Sequence, residues 1–89
     1  MPYWVYVIKN EDGHHYTGQT DDLDRRLAEH NSGMSHSTKH GRNWKLLYSE
    51  EYETRIEAVR RERFLKSGVG RNYLANVISA FESGKHTEH

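Results

Sequence analysis

Apolar and polar positions divide the chain into six segments of alternating character. Tyr3 to Lys9 (YWVYVIK) is dense in aromatic and β-branched residues with little polar alternation, the pattern of a central strand covered on both faces. Asn10-Glu11-Asp12-Gly13 is a turn signal and His14 to Gln19 returns as a second strand, so the chain opens with a hairpin. Thr20-Asp21-Asp22 offers capping side chains, Leu23 to His30 carries a helical period, and Asn31-Ser32-Gly33 ends it. Residues 31 to 43, rich in Ser, Gly, His and Lys without periodicity, read as a loop. Trp44 to Glu50 (WKLLYSE) is the third strand.

Thr54-Arg55-Ile56-Glu57 is a capping box that opens a helix reaching about Lys66, and Ser67-Gly68-Val69-Gly70 breaks it. A last helix is predicted from about Arg71 to Phe81 on the Leu74, Val77, Ile78, Phe81 spacing, with Glu82 to His89 as a flexible tail. The order β-β-α-β-α-α predicts an α+β fold over residues 1–81, a small three-stranded antiparallel or mixed sheet flanked by helices.

Composition narrows the picture. A chain of 89 residues has room for one core, and with 34% hydrophobic residues and a mean hydropathy of −1.05 that core must lean on six Tyr and two Trp. No apolar run is long enough to cross a bilayer and the amino terminus lacks a signal-peptide layout, so a cytoplasmic protein with no membrane association is expected. The absence of cysteine excludes disulfides and thiolate zinc sites. Net charge is zero, so bulk charge gives no reason to expect a nucleic-acid partner. Its distribution is uneven. Between Thr54 and Arg71 six basic residues (Arg55, Arg60, Arg61, Arg63, Lys66, Arg71) face two acids, and Lys39, Arg42 and Lys45 add a second basic stretch. The plain explanation is a solvated helix face and a loop.

Polar groups on apolar arcs change that balance. At about 100° per residue, Leu23 and Leu27 define the inward face of the first helix, and Arg26 and His30 fall on it while Arg25 points away. Leu65, Ala58, Val59 and Ile56 form the inward arc of the second helix, with Glu62 inside it. An acid there asks for a cation: the Arg26 guanidinium in a structural ion pair, or a hard metal ion. On the sheet, Trp4, Tyr6 and Ile8 share a face, Tyr16 comes alongside, and Gly18 leaves room for close approach. His14, His15, His36, His40, His86 and His89 read as surface residues, because no acidic or cysteine motif completes a zinc site.

These residues together resemble the GIY-YIG nuclease superfamily, specifically its short single-domain bacterial members, which are excision-nuclease-like. Trp4-Val5-Tyr6 stands where the first tyrosine motif falls and Tyr16-Thr17-Gly18 where the second does. The run from Tyr16 to His30 assigns the family arginine to Arg26 and its neighbour one turn on to His30, and Arg61-Glu62-Arg63-Phe64-Leu65-Lys66 resembles the stretch holding the metal-binding glutamate. The first motif lacks its Gly and Ile. The asparagine many relatives carry on the final helix corresponds to Asn72 or Asn76, and the sequence does not choose between them.

The resemblance implies a DNA endonuclease using one divalent ion, Mg²⁺ or Mn²⁺, and no small-molecule cofactor. Glu62 would hold the metal and Arg26 would neutralise phosphate oxygens. Tyr6 would deprotonate or orient the attacking water beside Tyr16, with Arg26 and the metal favouring the phenolate and His30 accepting the proton. Lys39, Arg42, Lys66 and Arg71 would track the strand. With no appended recognition domain, single strands, flaps or frayed ends are expected over intact duplex. Oligomeric state, pathway and RNA as substrate stay open. The alternatives are a nucleic-acid-binding or adaptor module that keeps the fold without the chemistry, and a structural protein in which Arg26, His30 and Glu62 form a buried ion network.

Overall fold

A computed structural model of the chain describes residues 2–33 and 43–82. Strands β1 (Tyr3–Lys9), β2 (His15–Thr20) and β3 (Lys45–Tyr52) and helices α1 (Leu23–Ser32), α2 (Arg55–Lys66) and α3 (Gly68–Glu82) follow one another as β-β-α-β-α-α. The sheet order is β2-β1-β3 and both pairings are antiparallel, so β1 is central. No helix among the described residues is long and apolar enough to cross a membrane.

The unbroken apolar run of β1 is explained by its two covered faces. Val5 and Val7 pack on Ala58, Leu65, Leu74 and Ile78 of α2 and α3, while Tyr6 and Ile8 pack with Trp44, Tyr16, Leu23 and Leu27 on the α1 side. The β1–β3 register slips between Val7 and Ile8, pairing Val7 with Tyr48 but Ile8 with Leu46. That bulge sets Tyr48, Glu50 and Tyr52 in alternation on the α2 side.

Capping follows the sequence closely. The Asp22 side chain accepts from the Arg25 amide at 3.0 Å, and Gly33 closes α1 in the left-handed region at φ 81°. Thr54 and Glu57 form the reciprocal capping box. Two expectations need correction. Ile56 is 65% exposed, so the inward arc of α2 is Ala58, Leu65 and partly buried Val59. Helix α3 starts at Gly68, three residues before the expected Arg71. A Cβ on Gly70 would stand 1.8 Å from the Phe64 carbonyl oxygen, so this glycine permits backbone contact between α2 and α3 instead of breaking a helix. The break is Ser67 alone, extended at ψ 167°, with its hydroxyl accepting the Gly70 amide at 3.2 Å.

Candidate active site

The β1–β2 ladder brings the two tyrosines together. Tyr6 pairs across the strands with Gly18, and Tyr16 lies one diagonal away, with ring centroids 6.3 Å apart. A Cβ at Gly18 would come within 2.6 Å of the Tyr6 hydroxyl oxygen and 3.0 Å of the Tyr16 ring, so only glycine lets the Tyr6 hydroxyl lie where it does.

Helix α1 supplies His30 and Arg26. His30 is fully buried, its ring 5.0 Å from Tyr16 and 6.4 Å from Trp44, and its Nε2 lies 2.8 Å from the Tyr6 hydroxyl. Burial and the nearby Arg26 charge push its pKa down to about 4, so the imidazole is neutral near pH 7. Burial also raises the Tyr6 phenol to about 12, outweighing the opposing hydrogen bond from Arg26. Arg26 therefore favours the phenolate as expected, but desolvation outweighs it. Because the Arg26 charge lies close enough to favour the phenol oxygen's lone pairs, the phenolic proton is best directed to His30 Nε2, which puts the histidine proton on Nδ1. The Arg26 guanidinium is itself held by Glu29 at 2.8 Å.

Helix α2 supplies Glu62. Its partner is Lys66, with Nζ 2.6 Å from the carboxylate, not the Arg26 pair that the apolar arc suggested. The Glu62 side chain is 21% exposed, and its charge acts on the Tyr6 hydroxyl. The Lys66 ammonium stands over the Tyr16 ring, 5.6 Å from its centroid. Among the described residues no group of three or more His, Asp or Glu side chains is arranged to hold a metal ion. A closed site of the structural zinc type therefore does not fit. One carboxylate already balanced by a cation fits an ion of the Mg²⁺ type, which takes one or two carboxylates, keeps waters and uses substrate oxygens.

The remaining sequence candidates scatter. Arg71 is exposed and joins Tyr16 and Lys66 along an open groove of about 730 Å³ whose floor is Val7, Leu65, Leu74 and Ile78. Asn72 and Asn76 are both exposed, each about 200° around α3 from the inward Leu74. His14 and His15 are exposed as expected. Lys39, Arg42, His36, His40, His86 and His89 lie outside the described residues, as does all but the first residue of the expected 82–89 tail.

Sequence reasoning missed three supports. Glu29 and Lys66 were visible as i+3 and i+4 partners of Arg26 and Glu62. Asn31 looked only like a helix stop, yet its amide bonds both the Trp44 amide at 2.6 Å and the Trp44 carbonyl at 3.0 Å, which pins Trp44 beside His30. The third is the Glu50 network: the carboxylate takes two bonds from Arg61, at 2.8 and 3.0 Å, and bonds from the Tyr48 and Tyr52 hydroxyls.

The GIY-YIG catalytic domain profile matches residues 2–74, which include both tyrosine strands, α1 and α2. The chain belongs to the GIY-YIG nuclease superfamily. Within it, a UPF0213 protein of Halobacterium salinarum is 44% identical over 63 residues, covering 70% of this chain and 82% of that protein. A UPF0213 protein of Staphylococcus saprophyticus is 36% identical over 66 residues, covering 73% and 80%. The solution NMR structure of a UPF0213 protein from Bacillus halodurans superposes with a TM-score of 0.53 at 32% identity, covering 86% of this chain and 85% of that one. This GIY-YIG chain thus shares both the sequence and the fold of small UPF0213 relatives.

Proposed function

We propose that this GIY-YIG domain is a metal-dependent endonuclease that hydrolyses DNA phosphodiester bonds. The observation that carries the reading is the Tyr6–His30 hydrogen bond beside Gly18, with the Arg26 and Glu62 charges acting on the same phenol. A buried structural tyrosine does not require a neutral buried base at hydrogen-bond distance and a glycine directly beneath its hydroxyl.

Arg26 faces the oxygens of a bound phosphate with a fork that Glu29 holds in orientation. The Tyr6 hydroxyl relays a proton: its oxygen takes one from the attacking water as its own passes to His30 Nε2. The water oxygen bonds to phosphorus in line with the departing 3′ oxygen, which takes its proton from solvent, and His30 later releases the proton it received. A neutral His30 is ready to accept, whereas an imidazolium would not be. Tyr16 orients the phosphate beside Tyr6. Glu62 is the residue that would hold Mg²⁺ or Mn²⁺, which when bound supplies Lewis-acid stabilisation of charge on the phosphate and the leaving oxygen.

The groove beside Tyr16, apolar at its floor and cationic at Lys66 and Arg71, suits an unpaired base and its phosphates better than a closed duplex, which supports a preference for single-stranded or frayed DNA. The test is incubation of wild type and Glu62→Ala with single- and double-stranded DNA and RNA in Mg²⁺, Mn²⁺ or chelator. Wild type should cut DNA, single strands fastest, with activity lost in chelator and in Glu62→Ala. Equal cutting by Glu62→Ala removes the metal role, a clear preference for intact duplex removes the strand preference, and binding without cutting by wild type makes the chain a binding module.

A further inference from the structure

The Glu62–Lys66 pair has two readings. Glutamate four residues before lysine is a common surface pair on helices, with a small stabilising effect that salt screens. This pair differs from a free surface pair in where it sits. The Glu62 side chain is partly buried at 21% exposure and its charge reaches the Tyr6 hydroxyl, while the Lys66 ammonium is drawn over the face of the Tyr16 ring. Lys66 thus turns toward the cluster, although its half-exposed stem could extend into solvent.

Charge decides what happens when a divalent ion arrives. Arg26 is matched by Glu29, and Glu62 is matched by Lys66. A second cation beside the same carboxylate would face the ammonium at contact distance, so the ion and the ammonium exclude each other. The ammonium also has somewhere to go, since Lys66 lines the groove that Arg71 shares.

We propose that Lys66 occupies the cation position of Glu62 in the free protein, so that a divalent ion enters only by displacing it and the released ammonium is delivered to the groove that takes the strand. The proposal rests on Glu62 being the metal ligand. Lys66 then has two successive partners, a carboxylate before metal and a phosphate after it, and metal capture without nucleic acid is weak because it begins with breaking an ion pair.

The test is Mn²⁺ titration of the free protein, reading unbound Mn²⁺ by its electron paramagnetic resonance signal, for wild type, Lys66→Met and Glu62→Gln. Methionine keeps most of the stem and removes the charge, and thermal unfolding confirms that each variant is folded. Lys66→Met should bind Mn²⁺ on the order of five- to tenfold more tightly than wild type at low salt, and Glu62→Gln should lose binding. Raising salt should narrow the gap between wild type and Lys66→Met. If Lys66→Met binds no more tightly than wild type while Glu62→Gln loses binding, the displacement idea is overturned and Glu62 stands as the ligand. If Glu62→Gln binds like wild type, both are overturned.

Discussion

Two clusters of tyrosine, arginine and glutamate stand on either side of β1, and α2 feeds both. Arg61 and Glu62 are adjacent, about 100° apart on the helix, so one turns to β3 and the other toward β2. On the β3 side every group is answered within the protein. Glu50 takes a bidentate pair from Arg61 and bonds from two tyrosine hydroxyls, and Arg61 stacks on Phe64 and Tyr73 at 5.0 and 5.1 Å. Burial alone would raise the Glu50 carboxyl, but these donors hold it below its ordinary value. On the β2 side the Glu62 partner among the described residues is one lysine that is half exposed, and the Tyr6 hydroxyl lies directly over Gly18, where no side chain fits. The same residue types make a structural brace when their bonding is saturated, and a candidate reaction site when capacity is left over.

Neutralising each acid tests that sorting. Glu62→Gln should lower DNA cleavage by about 10²- to 10³-fold while moving stability by less than about 0.5 kcal/mol, because it breaks one ion pair whose lysine is half exposed. Glu50→Gln should cost on the order of 2 kcal/mol in urea unfolding, since it leaves Arg61 partly buried without its charge partner. Equal destabilisation by the two variants would mean that both clusters are braces.

Gly18 offers a smaller and more local perturbation. Alanine there places a methyl 2.6 Å from the Tyr6 oxygen, which forces the phenol off His30. Displacement of a reacting group by about an ångström can reduce rate up to about 100-fold, so Gly18→Ala should lose cleavage by roughly 10- to 100-fold in a folded protein. Gly18→Ala cleaving at the wild-type rate would show that the Tyr6 contact with Gly18 is packing only.

How much of this was legible in the sequence differs between the two clusters. The site side was legible because its residues break a local rule: Arg26, His30 and Glu62 sit at helical spacings reserved for apolar groups, and that contradiction appears in one dimension. The brace was not. Glu50, Tyr48 and Tyr52 follow the alternation of an ordinary half-covered strand, and Arg61 looked like one more charge in a basic stretch until α2 folded across β3. The start of α3 escaped for a similar reason. A glycine that breaks a helix and a glycine that lets two helices touch are the same letter, and only the 1.8 Å approach to the Phe64 carbonyl separates them.

The smallest expected effect separates the clusters by their acid response. His30 has a folded pKa of about 4 against an ordinary 6.5, so between those values the unfolded chain binds a proton that the folded chain does not. The stability associated with neutral His30 is complete above about pH 6.5, falls as pH drops toward 4 and changes no further below that. Its loss should be on the order of 1–2 kcal/mol, less than the full shift implies because water enters a small domain readily. Glu50 has the opposite form. Its depressed pKa gives stability that is complete above about 4.5 and lost as pH falls through the lower folded value. Urea unfolding from pH 7 to pH 3 should therefore show two successive losses, the upper one absent in His30→Asn and the lower one absent in Glu50→Gln. If His30→Asn keeps the upper slope, the burial of His30 does not depress its pKa and the upper loss belongs to another group.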